Sequence, residues 1–178
     1  MCIRDRPSAG FVELLAGDSV AAEAELRLAC EETERVGELG FLSSITPLLI
    51  DAVYAQGRYE EALALSDRWP AHRLTAPTDV DAQAGWRRVR AKALARLGRF
   101  EEAERLAREA VAILADTDYV NAHADTVADL GEVLLHAGRP SDAVTAVREA
   151  IHLYELKGNV ASAGALDRRL AESQVDAV

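Results

Sequence analysis

Long apolar runs are missing from this chain of 178 residues. No stretch approaches the ~20 consecutive apolar residues that a membrane-spanning helix needs. The N-terminus has no apolar core of the kind a signal peptide carries. Cysteine is scarce: Cys2 and Cys30 stand far apart and have no companion ligands at metal spacing, which points away from a zinc site and from a disulfide framework. Aromatic residues make up 5 %. Strands favour aromatic and β-branched side chains, so closely packed alanine-rich helices are expected in place of a sheet. No glycine-rich loop ends in Gly-Lys-Ser/Thr, the pattern that cradles nucleotide phosphates. Positive charge is outweighed, with 20 Lys and Arg against 30 Asp and Glu and a formal net charge of −10. Such a surface repels phosphate backbones, so nucleic acid is not an expected partner. Together these absences predict a soluble cytoplasmic protein with no cofactor, no metal and no membrane contact.

What the chain does have is 49 % hydrophobic residues, enough to bury a core, and a repeated elbow. The best example is Gly98-Arg99-Phe100-Glu101-Glu102-Ala103, where a glycine closes one helix and two acids open the next. Gly17, Gly57, Gly98 and Gly138 mark four such elbows, spaced 40, 41 and 40 residues apart. Five residues after each glycine stands alanine: Ala22, Ala62, Ala103 and Ala143. Twelve residues after it stand Ala29, Trp69, Ala110 and Ala150. Small residues about two turns apart let the second helix of a hairpin lie close against the first. A fixed period with fixed small residues is the mark of a stacked repeat.

The elbows divide the chain into helices. Phe11, Val12, Leu14 and Leu15 read as the last turns of a cut-short helix, and Asp18 or Ser19 caps the next one, over about 19–37. Cys30 reads as a small buried hydrophobe on its inner face, since Glu31 and Glu32 beside it would not activate a thiol. Further helices are expected from about Phe41 to Gln56, with Pro47 near the start, and from the second elbow to about Trp69. Pro70 and Pro77 enclose the longest irregular stretch, a candidate hinge or recognition loop. Asp79–Leu97, with Trp86, Val89, Ala93 and Leu94 inward, and Glu101 to about Leu114 follow. Asp116-Thr117-Asp118 is expected to cap Tyr119–Ala137. A helix to about Leu156 ends at Lys157-Gly158-Asn159, and Val160 to about Ser173 reads as a cap on the open end of the stack.

The elbows, alanines and paired helices resemble tetratricopeptide repeats, in a long variant with a period of 40 to 41. More narrowly, the segments Asp79–Lys92, Arg99–Ala110 and Tyr154–Val160 are similar to the C-terminal repeats of bacterial adenylate/guanylate cyclase-like proteins, which carry a signalling ATPase module upstream. Similar repeats follow ATPase modules in bacterial transcriptional regulators. The resemblance covers nearly all of 11–173 and implies a non-catalytic module whose parent's enzymatic residues lie elsewhere. Met1-Cys2-Ile3-Arg4-Asp5-Arg6 resembles the translated end of a transposon used in sequencing libraries. Residues 1–6 are therefore set aside as an artefact, 7–174 are taken as one repeat domain and 175–178 as a tail. On this reading the chain is a C-terminal piece of a longer protein, with an exposed N-terminal end prone to fray or self-associate.

No reaction is legible. His72, His123, His136 and His152 are not paired at i, i+4. His136 lies in the last turn of its helix, where a partly charged imidazole suits the dipole. Glu60/Glu61 and Glu101/Glu102 stand at helix starts, where acids serve the positive dipole end. In tetratricopeptide arrays the first helix of each pair lines the concave groove. Carried over by position, that resemblance implies groove residues Ser44, Asp51 and Tyr54, then Arg88, Lys92 and Arg96, then Asp125, Glu132 and Leu135. This is a mixed-charge groove with a basic middle, suited to a peptide that carries acids. The plainer reading makes these solvent-facing residues with local charge pairs. The expected fold is an all-α, right-handed solenoid of about four hairpins and a capping helix. The expected function is protein–protein interaction or regulatory scaffolding. The alternatives are a rigid spacer or oligomerisation surface, and a small-ligand sensor.

Overall fold

The computed structural model describes residues 5–70 and 77–175, with side chains to Glu172. Nine α-helices and no strand occur among the described residues: α1 (Asp5–Ala16), α2 (Ser19–Val36), α3 (Leu39–Ala55), α4 (Tyr59–Arg68), α5 (Val80–Arg96), α6 (Phe100–Leu114), α7 (Val120–His136), α8 (Pro140–Lys157) and α9 (Val160–Val175). They pair in order as α1/α2, α3/α4, α5/α6 and α7/α8, with α9 against α8. Each pair stacks on the next: α2 meets α3, α4 meets α5 and α6 meets α7. The odd-numbered helices also touch one another in series, α1 to α3 to α5 to α7. That row is the surface on which the candidate site is built. The architecture is a tetratricopeptide-type helical solenoid.

The elbow is a backbone device. Gly98 sits at φ +77°, where a Cβ would crowd the following carbonyl. This lets Arg99 N–H donate to Leu94 C=O at 2.9 Å and Gly98 N–H to Ala95 C=O at 3.1 Å, which satisfies two carbonyls that the helix end leaves free. The same bonds recur at Gly57 and Gly138. The arginine after each of these glycines then pairs with the acid three residues on: Arg58 with Glu61 (2.9 Å), Arg99 with Glu102, and Arg139 with Asp142 (2.7 Å). Two of these arginines also reach back to the preceding repeat, Arg58 to Glu23 at 2.5 Å and Arg139 to Glu104 at 2.7 Å. The elbow acids thus serve both the helix start and its arginine.

The repeat alanines are where the hairpins close. Ala22, Ala29, Ala62, Ala103, Ala110 and Ala150 are fully buried, and Ala143 nearly so. Cys30 is buried with them. Gly131 brings α7 closer still to α8: a Cβ there would lie 3.0 Å from Val147 Cγ2 and 3.3 Å from the Ala143 carbonyl oxygen.

Two local expectations are corrected. Helix α3 starts at Leu39, so Pro47 lies in its interior and removes the bond that would run to the Ser43 carbonyl. Pro47 is covered there by Gly85 of α5, whose Cβ position is 3.3 Å from Pro47 Cγ. Helix α7 has no side-chain cap from Asp116 or Asp118. Instead Thr117 Oγ1 donates to Leu114 C=O at 2.8 Å and accepts from Tyr119 N–H at 3.3 Å, closing a turn between the helices. Trp86 faces inward as expected: it is half-buried and packed against the core, with its indole N–H donating to Ser66 C=O at 2.9 Å. Helix α1 has Phe11, Val12, Leu14 and Leu15 in its last turns, as expected, and Arg6 pairs with Glu25 of α2 at 2.9 Å. The candidate recognition loop, Ala71–Ala76, lies outside the described residues.

Candidate functional site: the concave face

Helices α3, α5 and α7 each send polar side chains to the shared face, and these meet as two linked clusters. In the first, Arg88 of α5 donates from Nη2 to Asp51 of α3 and from Nη1 to Asp129 of α7, at 2.5 Å each. Lys92, one turn along α5, reaches the same two acids, at 2.7 Å to Asp51 Oδ1 and 3.4 Å to Asp129 Oδ2. The result is a four-membered ring of two cations and two anions that ties three successive repeats together. All four are largely out of water: their side-chain exposures run from 9 % for Lys92 to 18 % for Asp51. A ring with charge balanced inside it is the arrangement under which such burial is tolerated.

The titration of these groups follows from the same geometry. Burial alone would raise the Asp51 pKa, but Arg88 and Lys92 outweigh it and hold the carboxyl below its ordinary value. Asp129 goes the other way: burial raises it, and Asp51 and Glu132 add to that against Lys92 and Arg88. Burial would lower Lys92, but Asp129 and Asp51 outweigh it and raise its pKa.

The second cluster lies one turn further along the same helices. Tyr54 of α3 donates its hydroxyl to Glu132 of α7 and accepts from Arg96 Nε of α5 at 2.9 Å. Arg96 Nε and His136 Nε2 each lie 3.8 Å from Glu132 Oε1. The His136 imidazole is held below its ordinary pKa, first by burial and then by Arg96, against the pull of Glu132. That corrects the expectation of a partly charged histidine at this helix end. Lys92 Nζ stands 4.9 Å from the centre of the Tyr54 ring and links the two clusters.

The structure brings together Asp51, Tyr54, Arg88, Lys92, Arg96 and Glu132, all of which the sequence placed on this face. Asp125 stands at the edge and accepts from the hydroxyl of Tyr154 on α8. Ser44 and Leu135 are exposed. The middle of the face is not a free basic patch, because each of Arg88 and Lys92 already holds two acids. Asp129 and Tyr154 were missing from the sequence reading. A signal existed for the first: Asp129 lies 41 residues after Arg88, one repeat on. Asp51, Lys92 and Glu132 likewise share one register, six residues before Gly57, Gly98 and Gly138, so that acid, base and acid alternate up the stack.

Three clefts lie in a row beside these clusters, each sharing lining residues with the next. The first, about 560 Å³, lies between α1 and α3 and is mainly apolar, with Phe11, Val12, Phe41, Ile45 and Leu48 on its walls. The second, about 150 Å³, shares Ser44 and Leu48 with the first and has Asp81, Arg88 and Asp125 at its rim. The third, about 260 Å³, shares Arg88 and Asp125 with the second and ends at Leu166 and Arg169 of α9. No group of three or more His, Cys, Asp or Glu side chains placed to hold a metal occurs among the described residues. No helix among them is long and apolar enough to cross a membrane.

Two stretches of the chain match tetratricopeptide-repeat family models: residues 85–115, the α5/α6 hairpin, and residues 124–149, most of α7/α8. No curated protein matches the chain at a significant level. Among solved structures, the chain is similar to the nearly identical TPR-like repeats of a protein described as a putative kinesin light chain from Podosopora anserina. The TM-score is 0.58 at 17 % identity, with 98 % of this chain and 96 % of that chain covered. A singly substituted form of the same repeats gives the same score and identity, with 95 % of that chain covered. At this identity the likeness concerns the fold. Tetratricopeptide repeats generally mediate protein–protein interaction and are typically non-catalytic.

Proposed function

We propose that the chain is a non-catalytic interaction module that holds a peptide segment or a partner domain in its concave groove. The observation that carries this reading is the row of three clefts along α1, α3, α5, α7 and α9, each sharing lining residues with the next, beside charges that are paired internally. A rigid floor under an open groove is a preorganised docking surface, which lowers the ordering cost of binding. The middle cleft, about 150 Å³, is below the size of an ordinary small-molecule site, so it favours a side chain of a larger partner over a free small ligand. The segments Asp79–Lys92, Arg99–Ala110 and Tyr154–Val160 support a place for this module in a larger cytoplasmic signalling protein, beside a cyclase or ATPase unit.

The test is an array of short random peptides probed with the whole chain. Ser44 is exposed and lines two of the clefts, so Ser44→Trp fills the groove without touching the ionic floor. Arg105 is exposed on α6, so Arg105→Trp is the control. Binding is expected to fall at least tenfold in Ser44→Trp and to persist in Arg105→Trp. An array that binds nothing, or a Ser44→Trp variant that binds as well as the parent, would overturn the reading.

A second reading, a spacer that fixes the distance between other domains, is favoured by the ring of Asp51, Arg88, Asp129 and Lys92, which locks three repeats to one another. Self-association through α1 belongs with it, since Phe11, Val12 and Leu15 are exposed there. Light scattering that gives a monomer at all concentrations would remove the self-association arm.

A further inference from the structure

The charges along the groove are not all committed to one another, and the difference says what the groove prefers to hold. Five carboxylates (Asp51, Asp81, Asp125, Asp129 and Glu132) and four cations (Arg88, Lys92, Arg96 and Arg169) lie on or beside it. Arg88 and Lys92 are shared between Asp51 and Asp129, and Arg96 is held by Tyr54 and Glu132. Among the described residues, that leaves Asp81 and Asp125 without a cation at ion-pair distance, and both stand on the middle cleft. Asp125 has a neutral donor, the Tyr154 hydroxyl. Arg169, on the third cleft, has no acid at ion-pair distance among the described residues. Negative charge therefore exceeds positive at the middle cleft, where Arg88, the one lining cation among the described residues, is already held by Asp51 and Asp129. On one side of it lies the apolar cleft of Phe11, Val12, Phe41, Ile45 and Leu48. On the other side Arg169 disfavours a second positive group.

We propose that the occupant of the groove is a peptide segment of a partner protein that puts aliphatic or aromatic side chains into the α1–α3 cleft and a lysine or arginine between Asp81 and Asp125. This rests on the groove-binding reading above and reverses the polarity that the sequence alone implies, which was an acidic peptide on a basic middle. The reversal follows from the ionic floor: cations already holding two carboxylates each have little left to offer an acidic ligand, whereas Asp81 and Asp125 gain a partner. The size of the middle cleft suits one long side chain whose stem packs on Pro47, Leu48 and Ala82 while its charged end meets the acids. Both components are needed. The acids give orientation and the apolar cleft gives buried area.

The test uses the same peptide array, scored for composition, with the whole chain and the variant Asp81→Asn/Asp125→Asn. Asparagine keeps an acceptor for the Tyr154 hydroxyl, and Asp81 holds no cation, so the double variant is expected to melt close to the parent, lower only by the loss of an acid from the first turn of α5. The bound peptides are expected to be enriched in Lys or Arg together with apolar residues, and the double variant to bind them about tenfold more weakly, since a charge-assisted contact is being removed. A purely apolar peptide should bind both forms equally. Enrichment in Asp and Glu, or unchanged affinity of basic peptides for the double variant, would overturn the polarity assigned here while leaving groove binding intact. An array with no bound peptides would overturn both. Spermine serves as a control for free polyamines. Its binding as tightly as the peptides would overturn the claim that the occupant is a protein segment.

Discussion

Lys92 Nζ lies 2.7 Å from Asp51 Oδ1 and joins the first helix of one hairpin to the first helix of the hairpin before it. The same ammonium is 3.4 Å from Asp129, so a single side chain spans three repeats. Removing it leaves two buried acids with one arginine between them. Lys92→Met is expected to destabilise the fold by about 2 kcal/mol, below the figure for a fully buried pair because Arg88 remains. The urea midpoint at constant slope reads this. A double-mutant cycle with Asp51→Asn should give a coupling above about 1 kcal/mol. A cycle that sums to zero would show that the contact is replaced by solvent at no cost.

His136 gives the fold a pH dependence of known sign. Its imidazole binds a proton less readily in the fold than in the unfolded chain, where the pKa is about 6.5. The unfolded state therefore takes up more protons as the pH falls. The stability held by the neutral ring is present above the unfolded pKa and is lost as the pH drops through it towards the lower folded value. Between about pH 7.5 and about pH 5.5 the parent should lose more stability than His136→Gln, read as urea midpoints. Parallel losses would mean that Arg96 and burial do not act on this ring as the geometry implies.

Sequence and structure agree where the determinant is local. A glycine at φ +77° is required by the turn itself, so Gly98 and its counterparts marked the elbows. The alanines were legible because each is fixed by contact between consecutive helices. Charge pairing was not legible, since Arg88, Asp51 and Asp129 meet only after the register between repeats is set, and that register depends on packing across α3, α5 and α7. The start of α3 was placed near Phe41 and not at Leu39, since Gly40 just before it lowers helix propensity there. In the fold Gly40 sits in the first helical turn, where its carbonyl accepts from Ser43 Oγ at 2.6 Å.

Three glycines should respond to alanine in three different ways. Gly40→Ala has open space around its Cβ and replaces a flexible residue within α3, so a gain of about 0.5 kcal/mol is expected. Gly98→Ala puts a Cβ at φ +77° and should cost about 1 kcal/mol. Gly131→Ala gains helix propensity but presses on Val147 and on the Ala143 backbone, which cannot swing aside, so a net loss of about 1 kcal/mol is expected. Melting curves of the three variants would give the order. Gly131→Ala more stable than the parent would show that α7 and α8 separate easily.

Cys30 reports on whether the first two hairpins open on their own. Its side chain is fully buried between α2 and α3, and its thiol is pushed up to about 12, first by burial and then by Glu34. At about pH 8 almost no thiolate is present and the sulfur is shut away from solvent, so a thiol reagent can act only after opening. In a Cys2→Ser variant, which leaves one thiol, labelling in buffer is expected to be slow and to speed up with urea in proportion to the unfolded fraction. Labelling much faster than global unfolding allows would locate a separate opening of α2 from α3, at the end of the solenoid where α1 exposes Phe11, Val12 and Leu15. Comparison with Cys2→Ser/Lys92→Met then tests cooperativity along the stack. If the ring at Asp51 couples α3 to the later repeats, the loss of Lys92 should accelerate labelling at Cys30. An unchanged rate would mean that the first hairpins open independently of the ionic floor.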